Sequence, residues 1–296
     1  MRGLEAGLAG HLASGETTLC TCWKLVRRDG LVLGFTDHDC LLEFGGLTYS
    51  PASGLDSGEA PARLGAEVAT GEVLGILTDA AITEGDIALG RYDGAVVESW
   101  RVNWAEVGQR VLLRTDTIGE SVREDGVFRA ELRSPQQGLQ AVHGRVYQSL
   151  CDAQLGDGRC GVDLNDPARR GEATVIGLDD PYRCLVSGLE SFAAGWFAFG
   201  RAGWSTGKRA DLSDPVMSHE RTGAGDVLGF AMRVADWIEP GDTLVVTAGC
   251  DRRFATCRDR FGNAANFRGF PHIPGSDYVL RHPRNGDPLD GRAVVK

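Results

Sequence analysis

Lysine is nearly absent from the 296-residue chain, at 3 residues against 28 arginines, and methionine is equally scarce at 3. No run of roughly 18 consecutive apolar residues occurs, which excludes a bilayer-spanning helix. A continuous basic stripe is also missing. The net charge is -10, with 13 basic against 21 acidic residues in positions 1–150 and 18 against 20 in positions 151–296. Positions 251–296 reverse the balance to 9 basic and 5 acidic, short of the electrostatic footprint that sequence-general nucleic-acid binding uses. Leu4, Leu8 and Leu12 have helical spacing, but the first 20 residues hold neither an uninterrupted apolar region nor a cleavage pattern. No secretory signal is expected there, and synthesis in the cytosol is. What is present suits a folded protein: 42% hydrophobic and 24% charged residues exclude disorder, 41 glycines predict many turns, and the length fits about two domains.

Short strands with turn signals dominate the first half. The run 17–26, a turn ending in Asp29-Gly30 and the run 31–35 predict a hairpin, with Leu19, Thr21, Trp23 and Leu25 on one face at period two. A second hairpin is predicted for 41–49 around Gly45-Gly46. A short helix is predicted over 80–89, ended by Gly90, and another from Ser134-Pro135 to about Val142. Between them, 95–104, 110–115 and 127–132 read as strands. From Cys151 the texture becomes rich in glycine and aspartate, which places a domain boundary near residue 150 and gives domains 1–150 and 151–296. Strands are predicted again at 173–178, 182–186, 196–199, 227–233 and 243–247, and the tail from Arg258 reads as loop. The fold class is mainly β.

The eight cysteines are at 20, 22, 40, 151, 160, 184, 250 and 257. A disulfide framework is disfavoured in a cytosolic chain, which leaves buried thiols, a metal site or a reactive thiol. Cys20 and Cys22 share a strand face among apolar neighbours and read as small core residues, as do Cys40 and Cys184. Cys151-x8-Cys160 and Cys250-x6-Cys257 lie instead in polar segments where a purely hydrophobic thiol has little reason to be. Together they supply four thiolates, enough to close a zinc site or to hold one iron–sulfur cluster. Their spacers are wider than those of zinc knuckles, which favours the larger cluster, although zinc and unligated thiols stay open on spacing alone. Arg159, Arg252, Arg253, Arg258 and Arg260 would offset thiolate charge and help lower the thiol pKa values.

Catalytic patterns are weak. Gly203-Trp204-Ser205-Thr206-Gly207 matches the nucleophile elbow of serine hydrolases, but the sequence after it is a poor helix. Asp37-His38-Asp39 reads as turn capping, and neither His272 nor His282 has a partner at ligand spacing. Trp100 and Trp104, on one predicted strand face, read as core or interface.

One resemblance covers nearly the whole chain. The stretch from Thr17 through Cys20-Thr21-Cys22-Trp23 to Asp37-His38-Asp39, followed by Gly90-Arg91-Tyr92-Asp93-Gly94-Ala95 and Val102-Asn103-Trp104, resembles the N-terminal half of tail-tip (baseplate) hub proteins. These belong to siphophages and to the gene transfer agents of alphaproteobacteria such as Rhodobacter. Cys250 to Arg258, continuing through Arg260-Phe261-Gly262-Asn263 to Gly269-Phe270-Pro271-His272-Ile273-Pro274-Gly275, is similar to their C-terminal module. The tail-tip protein L of lambda-like phages, more distantly similar, holds an iron–sulfur cluster through four C-terminal cysteines.

The resemblance implies a β-barrel-like N-terminal hub region and a β-rich, loop-rich C-terminal domain with a [4Fe–4S] cluster on Cys151, Cys160, Cys250 and Cys257, zinc being the alternative. It further implies a structural role without catalysis in a homotrimer. That ring would sit between the distal tail protein ring and the central tail-tip or fibre protein, around a channel that DNA passes without sequence-specific binding. Assembly into the tail tip of a phage-like particle would follow synthesis in the cytoplasm. An intracellular iron–sulfur redox protein and, further off, a serine hydrolase using Ser205 are the competing readings.

Overall fold

The computed structural model describes residues 4–51, 56–57, 70–76, 82–124, 127–140, 144–273, 285–286 and 290. The chain divides into two compact units, Met1–His143 and Gly144–Lys296. Both are built mainly of strands. No helix among the described residues is long and apolar enough to cross a membrane.

The first unit comprises helix α1 (Ala6–Ala13), strands β1 (Leu19–Val26), β2 (Val32–Thr36), β3 (Leu42–Phe44), β4 (Leu47–Pro51), β5 (Asp56–Ser57) and β6 (Thr70–Ile76), helix α2 (Glu84–Ala88), and strands β7 (Val96–Asn103), β8 (Arg110–Glu124) and β9 (Val127–Arg133). They form a nine-stranded sheet in the order β3-β4-β2-β1-β7-β8-β9-β6-β5. Both predicted hairpins are present. Gly45 and Gly46 turn the second with φ of +59° and +75°, the left-handed pair that a two-residue hairpin loop demands.

Strand β1 buries both faces. Trp23 and Leu25 pack with Phe35, Tyr92 and Val97, while Cys20 and Cys22 pack oppositely with Leu42, Phe44 and Tyr49. Leu19 and Thr21, expected on the core face with Trp23, are only half-buried. The Cys22 thiol is pushed up to about 12 by burial, in keeping with an inert core residue. Cys40 departs from expectation: it is exposed in the turn after β2, where its backbone N–H donates to His38 Nδ1 at 3.0 Å. Trp104 lies beyond the end of β7 and packs on the His38 ring at 5.0 Å rather than in the core.

Helix α2 is shorter than predicted. Thr83 Oγ1 caps it by accepting from the Asp86 N–H, Gly90 ends it at φ +68°, and the expected residues 80 and 81 lie outside the described part. The segment expected as a helix from Ser134 is a 3-10 helix over Pro135–Gln140, and 141–143 lie outside the described residues.

In the second unit, β10 (Arg170–Asp180), β11 (Arg183–Ser187), β12 (Arg201–Trp204), β13 (Ser213–Thr222), β14 (Gly225–Phe230) and β15 (Thr243–Thr247) close into a barrel in the order β10-β11-β14-β13-β12-β15. Val175, Cys184, Val186, Trp204, Val216, Leu228, Leu244 and Val246 fill it. The segment 196–199 is a turn and not the expected strand: the N–H groups of Trp196 and Gly200 donate to the carbonyls of Ala193 and Phe197, and Phe199 takes φ +66°.

Strand β13 escaped the sequence reading because its inward positions include Asp214 and His219, which break the apolar alternation. Asp214 is satisfied by Arg209 and by Trp204 Nε1 at 2.7 Å. His219 Nε2 lies 3.2 Å from Asp226 Oδ1, and burial holds its pKa below the ordinary imidazole value in spite of that carboxylate. Below pH ~6.5 the unfolded chain therefore binds a proton that the barrel resists, so stability is full above that pH and falls beneath it. His219→Gln should flatten this part of the acid limb, measured as urea midpoints at pH 5.5 and 7.5; an unchanged slope places the sensitivity elsewhere.

Barrel closure matters most for what flanks it. Strands β10 and β15, first and last, pair antiparallel with Arg170 opposite Thr247. The chain entering β10 and the chain leaving β15 thus emerge at the same end of the barrel, although they are far apart in sequence.

Candidate metal centre

Those two flanking segments carry Cys151 and Cys160 on one side, and Cys250 and Cys257 on the other. All four thiols line one cavity, together with Ala153, Leu155, Val162, Phe261, Phe267, Arg252 and Asn266. The antiparallel closure explains the meeting. Beyond β15, helix α3 (Phe254–Phe261) bears Cys257. The loop expected from Arg258 onward is helical as far as Phe261, because Gly262 caps it in the left-handed conformation (φ +60°) and Arg258 and Arg260 complement the dipole in the last turn.

Backbone and amide groups fix the sulfurs. The Arg252 N–H lies 3.4 Å from Cys250 Sγ, and the Arg268 N–H lies 3.4 Å from Cys151 Sγ. Asn263 Nδ2 donates to the Cys160 carbonyl at 2.7 Å and lies 3.7 Å from Cys160 Sγ. Three of the four sulfurs therefore already receive N–H groups, the environment of sulfur that carries negative charge. Arg252 reaches its position in the left-handed region, at φ +64°, and its carbonyl accepts the Cys151 N–H at 2.9 Å, which ties the two segments directly. Arg252 was expected to act through its charge but acts through its backbone, and no role was expected of Asn263, whose place after the helix-ending Gly262 was the readable signal.

A single tetrahedral zinc with Zn–S of ~2.3 Å sets sulfurs ~3.8 Å apart. Among the described residues, no three of these four Sγ atoms fall within 4.8 Å of one another. Four thiols on one cavity suit either a zinc ion or an iron–sulfur cluster.

Burial raises the Cys250 thiol pKa and pushes Cys257 up to about 11, with neighbouring thiols adding to both shifts. Without a cation these groups stay protonated at neutral pH, so metal loading must displace protons. The Arg252 backbone N–H pulls the Cys250 value down, but burial outweighs it, so both thiols end above the ordinary cysteine value, contrary to the expectation from sequence. Arg159 is committed to Asp152 and Asp157, Arg253 to Asp251 and Arg258 to Asp259, all at exposed positions. Arg260 alone of the five is withdrawn from solvent.

Other sequence candidates stay apart from this cavity. Ser205 is exposed after β12, followed by a turn at Gly207 (φ +78°) rather than a helix, and no histidine hydrogen-bonds it among the described residues. His38 does cap the turn, its Nδ1 accepting the Cys40 N–H at 3.0 Å, whereas Asp37 Oδ1 reaches across to accept the Thr21 N–H of β1 at 2.7 Å. His38, Asp39 and Cys40 place three donor atoms within 4.8 Å, but His38 Nδ1 is already taken by the Cys40 N–H. Cys184 lies in the barrel core, pushed up to about 12 by burial. His282 lies outside the described residues.

Two comparisons define the class of this sheet-and-barrel chain, a structural β protein of phage-like particles. The fold matches a chain of the structure titled "Virion of native gene transfer agent (GTA) particle" with a TM-score of 0.89 and 38% identity, over 97% of this chain and 99% of that one. Residues 5–163 match the family described as "Baseplate hub protein, N-terminal attachment domain", and residues 195–277 match "Phage conserved hypothetical protein BR0599". The chain belongs to the baseplate hub protein family. No curated protein matches it.

Proposed function

We propose that this baseplate hub protein forms a homotrimeric ring at the tail tip of a gene-transfer-agent-like particle, with a [4Fe–4S] cluster held by Cys151, Cys160, Cys250 and Cys257. The observation that carries the cluster is the convergence of these four thiols, from segments about ninety residues apart, on one cavity. N–H groups directed at three of the sulfurs support it further. The cluster acts as a staple: it ties the glycine-rich segment before β10 to the segment after β15, where little regular structure does so otherwise.

Family membership supports the tail-tip position, with the distal tail protein ring and the central fibre protein as neighbours. A chain of net charge -10 suits a channel wall, since it does not grip passing DNA. Protein purified without oxygen should be brown and contain close to four irons per chain; colourless protein with one zinc instead overturns the cluster. Particle imaging and light scattering of the purified chain test the trimer.

A further inference from the structure

Arg260 is half-buried on α3, three residues beyond Cys257. Its guanidinium lies over the Trp196 ring at 4.1 Å and 5.7 Å from the Phe261 ring, and one of its nitrogens donates to the Trp196 carbonyl. Its Nε is buried with no acceptor, and Trp196 Nε1 beside it is in the same position. Among the described residues no carboxylate forms an ion pair with Arg260, whereas Arg159, Arg253 and Arg258 each have one. Burial lowers the pKa of Arg260, and the groups that counteract this are Cys250 and Asp251.

A cation taken out of water with no anion is costly, and guanidinium is the basic group that cannot escape by losing its proton. The cost is met if negative charge arrives at the thiols. Trp196 and Phe261 both pack in the apolar cluster that contains Cys160, Cys151 and Cys250, and Phe261 also lines the cysteine cavity, so the stacked guanidinium sits behind that lining.

We propose that Arg260, clamped on Trp196, is the built-in counter-ion of the four-thiolate centre and sets how readily that centre accepts an electron. This rests on the cluster reading above. Negative charge added on reduction is stabilised by a fixed cation behind the cavity lining, and the low local dielectric strengthens the effect. Arg260 is a positioning and tuning residue here, not a ligand.

The test is a redox titration of full-length protein with dithionite under anaerobic conditions, followed by electron paramagnetic resonance, alongside iron content. Arg260→Gln should shift the reduced-to-oxidised ratio at a fixed potential about tenfold toward oxidised, which is 59 mV for one electron. Arg260→Lys should stay within about threefold of wild type, as should Arg253→Gln, which removes the same formal charge from an exposed site. If Arg260→Gln is poorly soluble, Arg260→Met retains the contact with Trp196 and should show the same shift. Loss of iron from both neutral variants but not from Arg260→Lys also supports the counter-ion.

Wild type and Arg260→Gln titrating alike, with iron retained, overturns the counter-ion and leaves the cluster standing. Arg260→Lys behaving like the neutral variants overturns it too, because geometry and not charge is then what matters. Wild-type protein without iron overturns the cluster, and this inference with it.

Discussion

Replacing Cys250 or Cys257 with serine should strip the metal and the stability of the second unit together. Either substitution leaves three thiols on the cavity and sets a hydroxyl, a far poorer ligand for iron, among Val162, Phe261 and Phe267. A structural metal site contributes on the order of 10 kcal/mol to folding, comparable to the whole net stability of a domain of about 5–15 kcal/mol. Partial loss is therefore not the expectation. Iron should drop below about half an equivalent, and limited proteolysis should open the segments around 151–167 and 248–273 while sparing the first unit. Cys40→Ser is the neutral control, since that thiol is exposed in a turn of the first unit. Cys184→Ala should retain its iron and lose about 1–2 kcal/mol from the barrel core. A Cys250→Ser protein with full iron and wild-type protease resistance would show that the ligand set is misassigned.

Why the ligands were legible while much of their surroundings was not follows from the kind of signal each feature leaves. Cys151, Cys160, Cys250 and Cys257 stood out because a thiol in a polar, glycine-rich segment has no packing reason to be there. Cys20, Cys22 and Cys184 carried the opposite signature, and all three are buried. Cys40 looked the same on paper, but its place is decided by the turn that His38 Nδ1 stabilises, which no apolar pattern records.

Strands bounded by glycine turns, such as the two hairpins of the first unit, declared themselves locally. Strand β13 did not, because buried Asp214 and His219 are tolerable only through partners, Arg209 and Asp226, whose proximity is a tertiary fact. The arginines show the same limit. Five near the cysteines looked equivalent in sequence, yet surface aspartates neutralise three of them, and only the fold shows Arg260 turned inward. The pairing of β10 with β15, which brings the two cysteine segments together, spans some seventy residues and leaves no local trace.

The same junction gives the second large expectation, at Gly249. This residue links β15 to Cys250, and its N–H donates to the Trp196 carbonyl at 3.1 Å, the acceptor that Arg260 also uses. Here the chain passes so close to the 197–200 turn that a Cβ on Gly249 would overlap the Ala198 carbonyl oxygen and lie 2.5 Å from Gly200 N. Both obstacles are backbone. Neither can rotate away as a side chain would, and Gly200 is itself confined by the Phe197 carbonyl at 2.8 Å from its own would-be Cβ.

Gly249→Ala must therefore push the exit of β15 off the turn, at a cost on the order of 3 kcal/mol. Because the displaced residue is the immediate neighbour of Cys250, the same shift should move a thiol out of the constellation. Iron content should fall with the thermal midpoint although no ligand has been touched. Gly203→Ala on β12 is the matched control: its nearest non-neighbour atom, the Val245 carbonyl oxygen, is 3.9 Å from the added carbon, so iron and midpoint should both hold. Gly249→Ala losing stability while keeping its iron would show that the thiol centre does not depend on the packing of the barrel exit against the 197–200 turn.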